Sequence, residues 1–122
     1  MTRTVEVQPW TTLHGGSGSE EIIQELPDWL DCSKHDMATV TVQLTQLSSA
    51  DLLIEGSDEI GGSFNTLYGA SAGSISSDLM VLSLARVQAM GTMQRLYNFL
   101  RWRVKPSGSP WCLSFKITAA LK

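Results

Sequence analysis

From Trp111 to Leu121 the chain alternates without a break, with Trp111, Leu113, Phe115, Ile117, Ala119 and Leu121 at odd positions and Cys112, Ser114, Lys116, Thr118 and Ala120 at even ones. A period of two puts one set on each face of an extended strand. A slip of one residue would turn the whole apolar set to solvent, so the segment reads as a long β-strand in fixed register, laid across a core. Three other segments obey the same rule: Leu100, Trp102 and Val104 against Arg101, Arg103 and Lys105; Ala38, Val40, Val42 and Leu44 against Thr39, Thr41, Gln43 and Thr45; and Ala50, Leu52 and Ile54 against Asp51, Leu53 and Glu55. Their β-branched and aromatic residues suit a half-buried pleated surface.

The remaining segments are read around these four. Thr2 to Leu13 alternates through Val5 and Val7 and then meets Pro9, which cannot donate to a central ladder, so it is expected at a sheet edge. His14 to Ser19 is a Gly/Ser loop. Glu21 to Leu30 has nearly helical apolar spacing, but Pro27 interrupts it, and strand or irregular structure is expected. The strands on either side of Ser48-Ser49 look like a hairpin, and Pro106 to Pro110 makes a turn. Ser63 to Tyr68 supplies a short strand with Phe64 and Leu67 in the core, and Gly69 to Ser77 is a surface loop. Leu79 to Met90 mixes helix-forming residues with alternation and is read as a strand, followed by a helical turn at Met93 to Tyr97. About eight short strands with Gly/Ser/Pro turns and no βαβ rhythm give an all-β, antiparallel, jelly-roll-like double-sheet sandwich. At 122 residues there is material for one core, so residues 1–122 are expected to form a single domain.

The residue inventory argues against most chemistry. Cys32 and Cys112 are too far apart in sequence for a zinc knuckle or a redox pair, and two cysteines are too few for a disulfide scaffold. His14 and His35 have no metal-ligand spacing, and Cys32 with His35 is a nucleophile pair only by local proximity. Gly15 to Gly18 lacks the Lys-Ser/Thr ending of a phosphate cradle. Asp51, Glu55, Asp58 and Glu59 include oxygen ligands for calcium, without EF-hand spacing, and read as solvated acids. No enzyme activity, cofactor or metal is expected. There is no apolar run long enough to span a bilayer, and Met1 to Trp10 carries no export-signal pattern, so no membrane partner is expected.

What remains is surface. The net charge of −3 argues against nucleic acid, but it conceals a division: eleven acids and two bases up to Gly61, one acid and seven bases from Gly62 onward. Arg101, Arg103 and Lys105 form a stripe at every second position of one strand, and Asp51 and Glu55 are aligned on another. Either these rows pair inside the sandwich or they steer a partner, including a second copy of the chain. Trp102 and Trp111 fall on inward registers, whereas Trp10 and Trp29 are fixed by no alternation and are the candidate stacking platforms for a sugar.

Tyr97-Asn98-Phe99-Leu100-Arg101-Trp102-Arg103-Val104, a Ser/Gly turn and Trp111-Cys112-Leu113-Ser114-Phe115-Lys116-Ile117 resemble the closing strands of small galactose-binding-like jelly rolls. Trp29-Leu30-Asp31-Cys32-Ser33 followed by Ala38 to Leu44 resembles their opening strands. Domains of this look occur in tailed-phage heads and tails. The resemblance implies a virion structural protein, a capsid decoration or minor head or tail component, assembled in the host cytoplasm and bound to capsid or tail proteins or to its own copies. The calcium- and sugar-binding residues of the carbohydrate-binding relatives have no counterparts here, and a carbohydrate-binding module is the alternative. The candidate partner-binding residues are Arg101, Arg103, Lys105, Asp51, Glu55, Trp10 and Trp29.

Overall fold

The computed structural model describes residues 2–16, 20–71, 79–86 and 94–122. Its strands are β1 (Arg3–Gly15), β2 (Ile22–Ile23), β3 (Leu30–Asp31), β4 (Met37–Ser48), β5 (Ala50–Ser57), β6 (Asn65–Ser71), β7 (Leu79–Ala85), β8 (Gln94–Arg95), β9 (Phe99–Pro106) and β10 (Trp111–Leu121), with one turn of 3-10 helix at Leu26–Asp28. A long sheet has the order β1-β10-β4-β7-β8. A short sheet has the order β2-β9-β5-β6, with β3 also pairing to β9. β2 and β3 are thus two halves of one interrupted line beside β9. With that line counted once and two-residue β8 set aside, eight strands remain. The first lies beside the last, and each sheet interleaves early and late strands, as in a jelly roll.

The inward registers are those the alternation dictates. Val40, Val42, Leu44, Leu52, Ile54, Leu100, Trp102, Val104, Leu113, Phe115 and Ile117 are all buried, and the Trp102 ring of the short sheet meets the Phe115 ring of the long sheet edge to face at 5.1 Å. The space left between the sheets, bounded by Val7, Leu30, Val40, Ile54, Leu100, Trp102 and Ile117, is about 10 Å³, about the size of one probe sphere.

Several expectations need correction. β4 and β5 are not a hairpin: β4 pairs with β10 and β7, and β5 with β9 and β6. The chain crosses between sheets at Ser49, whose φ of 55° turns it sharply enough for the crossing. The β9–β10 connection crosses in the same way, and the amides of Ser107 and Gly108 donate to the Ser49 carbonyl, tying the two crossings together. β6 continues through Gly69, Ala70 and Ser71, which read as loop because small residues carry no alternation; residues 72–78 lie outside the described set, as do 87–93. Gln94–Arg95 is not a helical turn but a parallel addition to β7, the one parallel pairing among the described strands. Phe64 is not in the core but on the outer side of the short sheet.

Candidate interaction surfaces

The outer face of the short sheet holds the charges that the sequence singles out. The register places Glu55 opposite Arg101, Leu53 opposite Arg103 and Asp51 opposite Lys105. The Glu55 carboxylate, only 2% exposed, accepts from Arg101 Nε at 3.0 Å and from Arg103 at 2.8 Å, and Arg103 also reaches Glu21 at 3.3 Å. One buried carboxylate between two guanidiniums costs desolvation, and the geometry offsets it by giving each oxygen its own cationic donor. Arg101 is further covered by Phe64, whose ring centroid lies 3.6 Å from the guanidinium carbon, and by Trp29 at 5.0 Å. Trp29 and Phe64 meet edge to face at 4.9 Å.

What brings Trp29 over this face is an interruption in the strand line. Pro27 starts the 3-10 turn at Leu26–Asp28, which lifts the chain off β9 between β2 and β3. Buried Gln24 fills the gap: its N–H donates to the Trp102 carbonyl, its side-chain oxygen accepts from the Trp102 N–H, its amide nitrogen donates to the Asp28 carbonyl at 2.8 Å, and its carbonyl accepts from the Trp29 indole at 2.7 Å. The Gln24 side chain also reaches the Val7 carbonyl at 3.4 Å, joining the edges of the two sheets. No periodicity marks Gln24; the signal available in the sequence was a polar pair, Gln24 and Glu25, set between Ile23 and Leu26 ahead of Pro27.

At one end of the sandwich Arg86 gathers loop backbone. Its guanidinium donates to the carbonyls of Cys32, His35 and Leu96 and to the Asn98 side chain, and its own N–H donates to the Asp36 carbonyl. Asn98 in turn holds Asp58, which also pairs with Arg95. Burial alone would raise the Asp58 carboxyl; the hydrogen bonds from Arg95 and the Asn98 N–H and the charges of Arg95 and Arg86 outweigh it and hold it below the usual carboxylate range. Beside this network an open polar cleft of about 250 Å³ is lined by Ser57, Asp58, Glu59, Asn65, Arg95 and Tyr97 among others. Cys32, fully buried under Arg86, has its thiol pushed up to about 12 by burial, so at neutral pH it is protonated and not a nucleophile. Among the described residues no three His, Cys, Asp or Glu side chains gather as metal ligands would, and no helix is long and apolar enough to cross a membrane.

The outer face of the long sheet differs in kind. β4 presents Met37, Thr39, Thr41, Gln43 and Thr45, β7 presents Leu79, Val81 and Ser83, and β10 adds Thr118 and Ala120. Leu79 is 59%, Val81 53% and Met37 40% exposed. On β1, β10, β4 and β7 the charged side chains of this face, among the described residues, are Glu6 and Lys116, which pair at 3.6 Å.

The candidate residues therefore divide. Arg101, Arg103 and Glu55 come together as an ion-pair group inside the chain, the first of the two arrangements their spacing left open. Asp51 and Lys105 stand opposite each other farther along the same ladder. Trp29 is half-buried with its indole N–H bound to Gln24 and is no open platform, whereas Trp10, on β1, is 49% exposed. No family model matches the sequence, and no curated protein matches it. Among solved structures the chain is similar to one from Bacillus endospore appendages, which "form a novel family of disulfide-linked pili": TM-score 0.48, 8% identity, covering 100% of this chain and 90% of that chain.

Proposed function

We propose that this chain is a non-enzymatic structural protein, a building block that works by packing into a larger assembly. The carrying observation is the contrast between the two outer faces: on the short sheet's, Trp29 and Phe64 cover Arg101, and Glu55 and Glu21 pair with the arginines, while the long sheet's, among the described residues, carries little charge and exposes Leu79 and Val81. A face of this composition in water is a reason to expect a protein partner. At the finer level the reading is a tailed-phage virion component, a capsid decoration or minor head or tail protein, which the resemblance of the closing strands to phage jelly rolls supports. Mass spectrometry of particles purified from cells carrying this gene tests it: recovery at a fixed copy number per particle is the expected result, and recovery only in the particle-free fraction contradicts it. Exposed Trp10 keeps a carbohydrate-binding module as the second reading, for which glycan binding lost in Trp10→Ala is the discriminating result.

A further inference from the structure

We propose that the cleft between Arg3 and loop residues 31–35 binds a small hydroxy-carboxylate, such as a sugar acid, with its carboxylate on Arg3 and Lys34 and its hydroxyl on Asp31. This goes beyond the assembly reading and does not depend on it. The cleft, of about 230 Å³, is lined by Arg3, Asp31, Ser33, Lys34 and His35, and its two walls are fixed through the backbone. The loop between β3 and β4 is pinned by Arg86, which donates to the Cys32 and His35 carbonyls, and by the His35 N–H, which donates to the Cys32 carbonyl. Arg3 stands opposite Leu121 of β10, and the next residue, Lys122, joins that strand to the loop by accepting from the N–H groups of Asp36 and Met37.

Unpaired bases mark the cleft. Arg86, Arg95, Arg101, Arg103 and Lys116 have side-chain partners within the chain. The side chains of Arg3, Lys34 and His35 make no hydrogen bond and no ion pair among the described residues, and all three line this one cleft. Asp36 and Lys122, whose backbones bond beside it, add one charge of each sign and leave the excess of base standing. On a chain of net charge −3 this is a local reversal of sign, and it fits an anion. Arg3 offers a carboxylate a planar fork and Lys34 a point charge. Asp31 narrows the choice of anion. Its carboxylate accepts from the Ser33 N–H at 2.9 Å; hydrogen bonds from the Ser33 side chain and backbone, helped by the charges of Lys34 and His35, outweigh burial and hold it below the usual carboxylate range. Ionised at neutral pH, it is an acceptor only, and it repels an anion that brings no donor. A phosphate dianion brings more charge and no donor, whereas a hydroxy-carboxylate brings a single charge and a hydroxyl for Asp31. The volume lies just under the roughly 300–1,000 Å³ of drug-sized ligand sites, which suits a ligand no larger than one sugar ring.

Titration of the full chain at neutral pH, followed through its amide and arginine Nε–H signals by NMR, tests the site with glucuronate as the probe. The signals of Arg3, Ser33, Lys34 and His35 are expected to shift and saturate, with half-saturation at about 1 mM or below. Glucose, which lacks the carboxylate, is expected to move none of them. Acetate, which lacks the hydroxyl, and inorganic phosphate are each expected to bind about tenfold more weakly or worse. Arg3→Gln, at an exposed position, is expected to weaken glucuronate by about tenfold or more, with Lys34→Gln in its place should that variant not fold. Asp31→Asn is expected to erase the preference over phosphate, and Lys105→Gln, on the short sheet away from the cleft, to leave binding unchanged. Circular dichroism confirms the fold of each variant. Glucuronate shifts that never saturate, acetate or phosphate binding that equals glucuronate in the wild type, or an Arg3→Gln that binds as the wild type does overturns the proposal. The assembly reading stands or falls separately, on recovery of the chain in particles.

Discussion

Gln24 pairs with Trp102 as if it were two strand residues at once: its backbone N–H donates to the Trp102 carbonyl at 3.1 Å, and its side-chain oxygen accepts the Trp102 N–H at 3.2 Å. The side chain thereby replaces a carbonyl that the chain carried away when it left β9 for the 3-10 turn. Gln24→Ala orphans the buried Trp102 N–H and the Asp28 carbonyl, and is expected to lower stability by about 2 kcal/mol. Urea unfolding measures it, and a midpoint equal to wild type would mean that water substitutes for the amide.

Glu55 bound to Arg101 and Arg103 leads to a second expectation. Glu55→Gln leaves two guanidiniums facing a neutral amide, a loss of about 3 kcal/mol, at the low end for breaking a buried pair because both arginines retain some solvent contact. The double reversal Arg101→Glu with Arg103→Glu, which a freely presented stripe would tolerate, is expected to prevent folding by crowding new carboxylates around Glu55. A folded double mutant by circular dichroism would show that the ion-pair group does not hold the short sheet.

Tyr97 packs directly against Gly56. A Cβ at position 56 would come within 2.5 Å of the Tyr97 ring, nearer than real atoms approach, so β5 requires glycine there for close contact, not for turning. Gly56→Ala is expected to cost about 1–3 kcal/mol, and Gly56→Ala in a Tyr97→Ala background clearly less. Equal costs in both backgrounds would separate the two residues.

Cys32 gives a dependence on alkaline pH. Its folded thiol titrates at about 12 against an ordinary 9.0 because burial disfavours the thiolate. Between these values the unfolded chain has lost a proton that the folded chain retains, so stability falls as pH rises from about 9 to 12, and is fully present below. Cys32→Ala is expected to flatten that part of the pH profile relative to wild type, and native-state alkylation at pH 8 is expected to label half-exposed Cys112 ahead of Cys32. Fast labelling of Cys32, or parallel alkaline slopes in the two proteins, would contradict the burial.

The strands that were legible share one property, alternation sustained long enough to be unambiguous. Val40, Val42 and Leu44, or Leu113, Phe115 and Ile117, declare their buried face without knowledge of the neighbouring strand, and Pro9 correctly sends β1 to an edge. β2, β3 and β8 are two residues each, too short for any period to register. Pairings were not legible either: alternation places Ser48-Ser49 between two strands but is silent about their sheets, and it turns Arg101 and Arg103 outward without saying that Glu55 lies across from them. Phe64 misled because an aromatic ring covers an arginine as readily as it enters a core.

The claim that ties these observations together is that one outer face is covered by the chain itself and the other is left for an assembly partner. Methyl-selective NMR of the chain, alone and mixed with the particles it copurifies with, measures this directly. The account predicts that the methyl signals of Leu79, Val81, Thr39, Thr41 and Thr118 change on mixing while those of Leu53 and Ile23 hold still. Changes confined to Leu53 and Ile23, with the long-sheet threonines and Val81 unaffected, would contradict it.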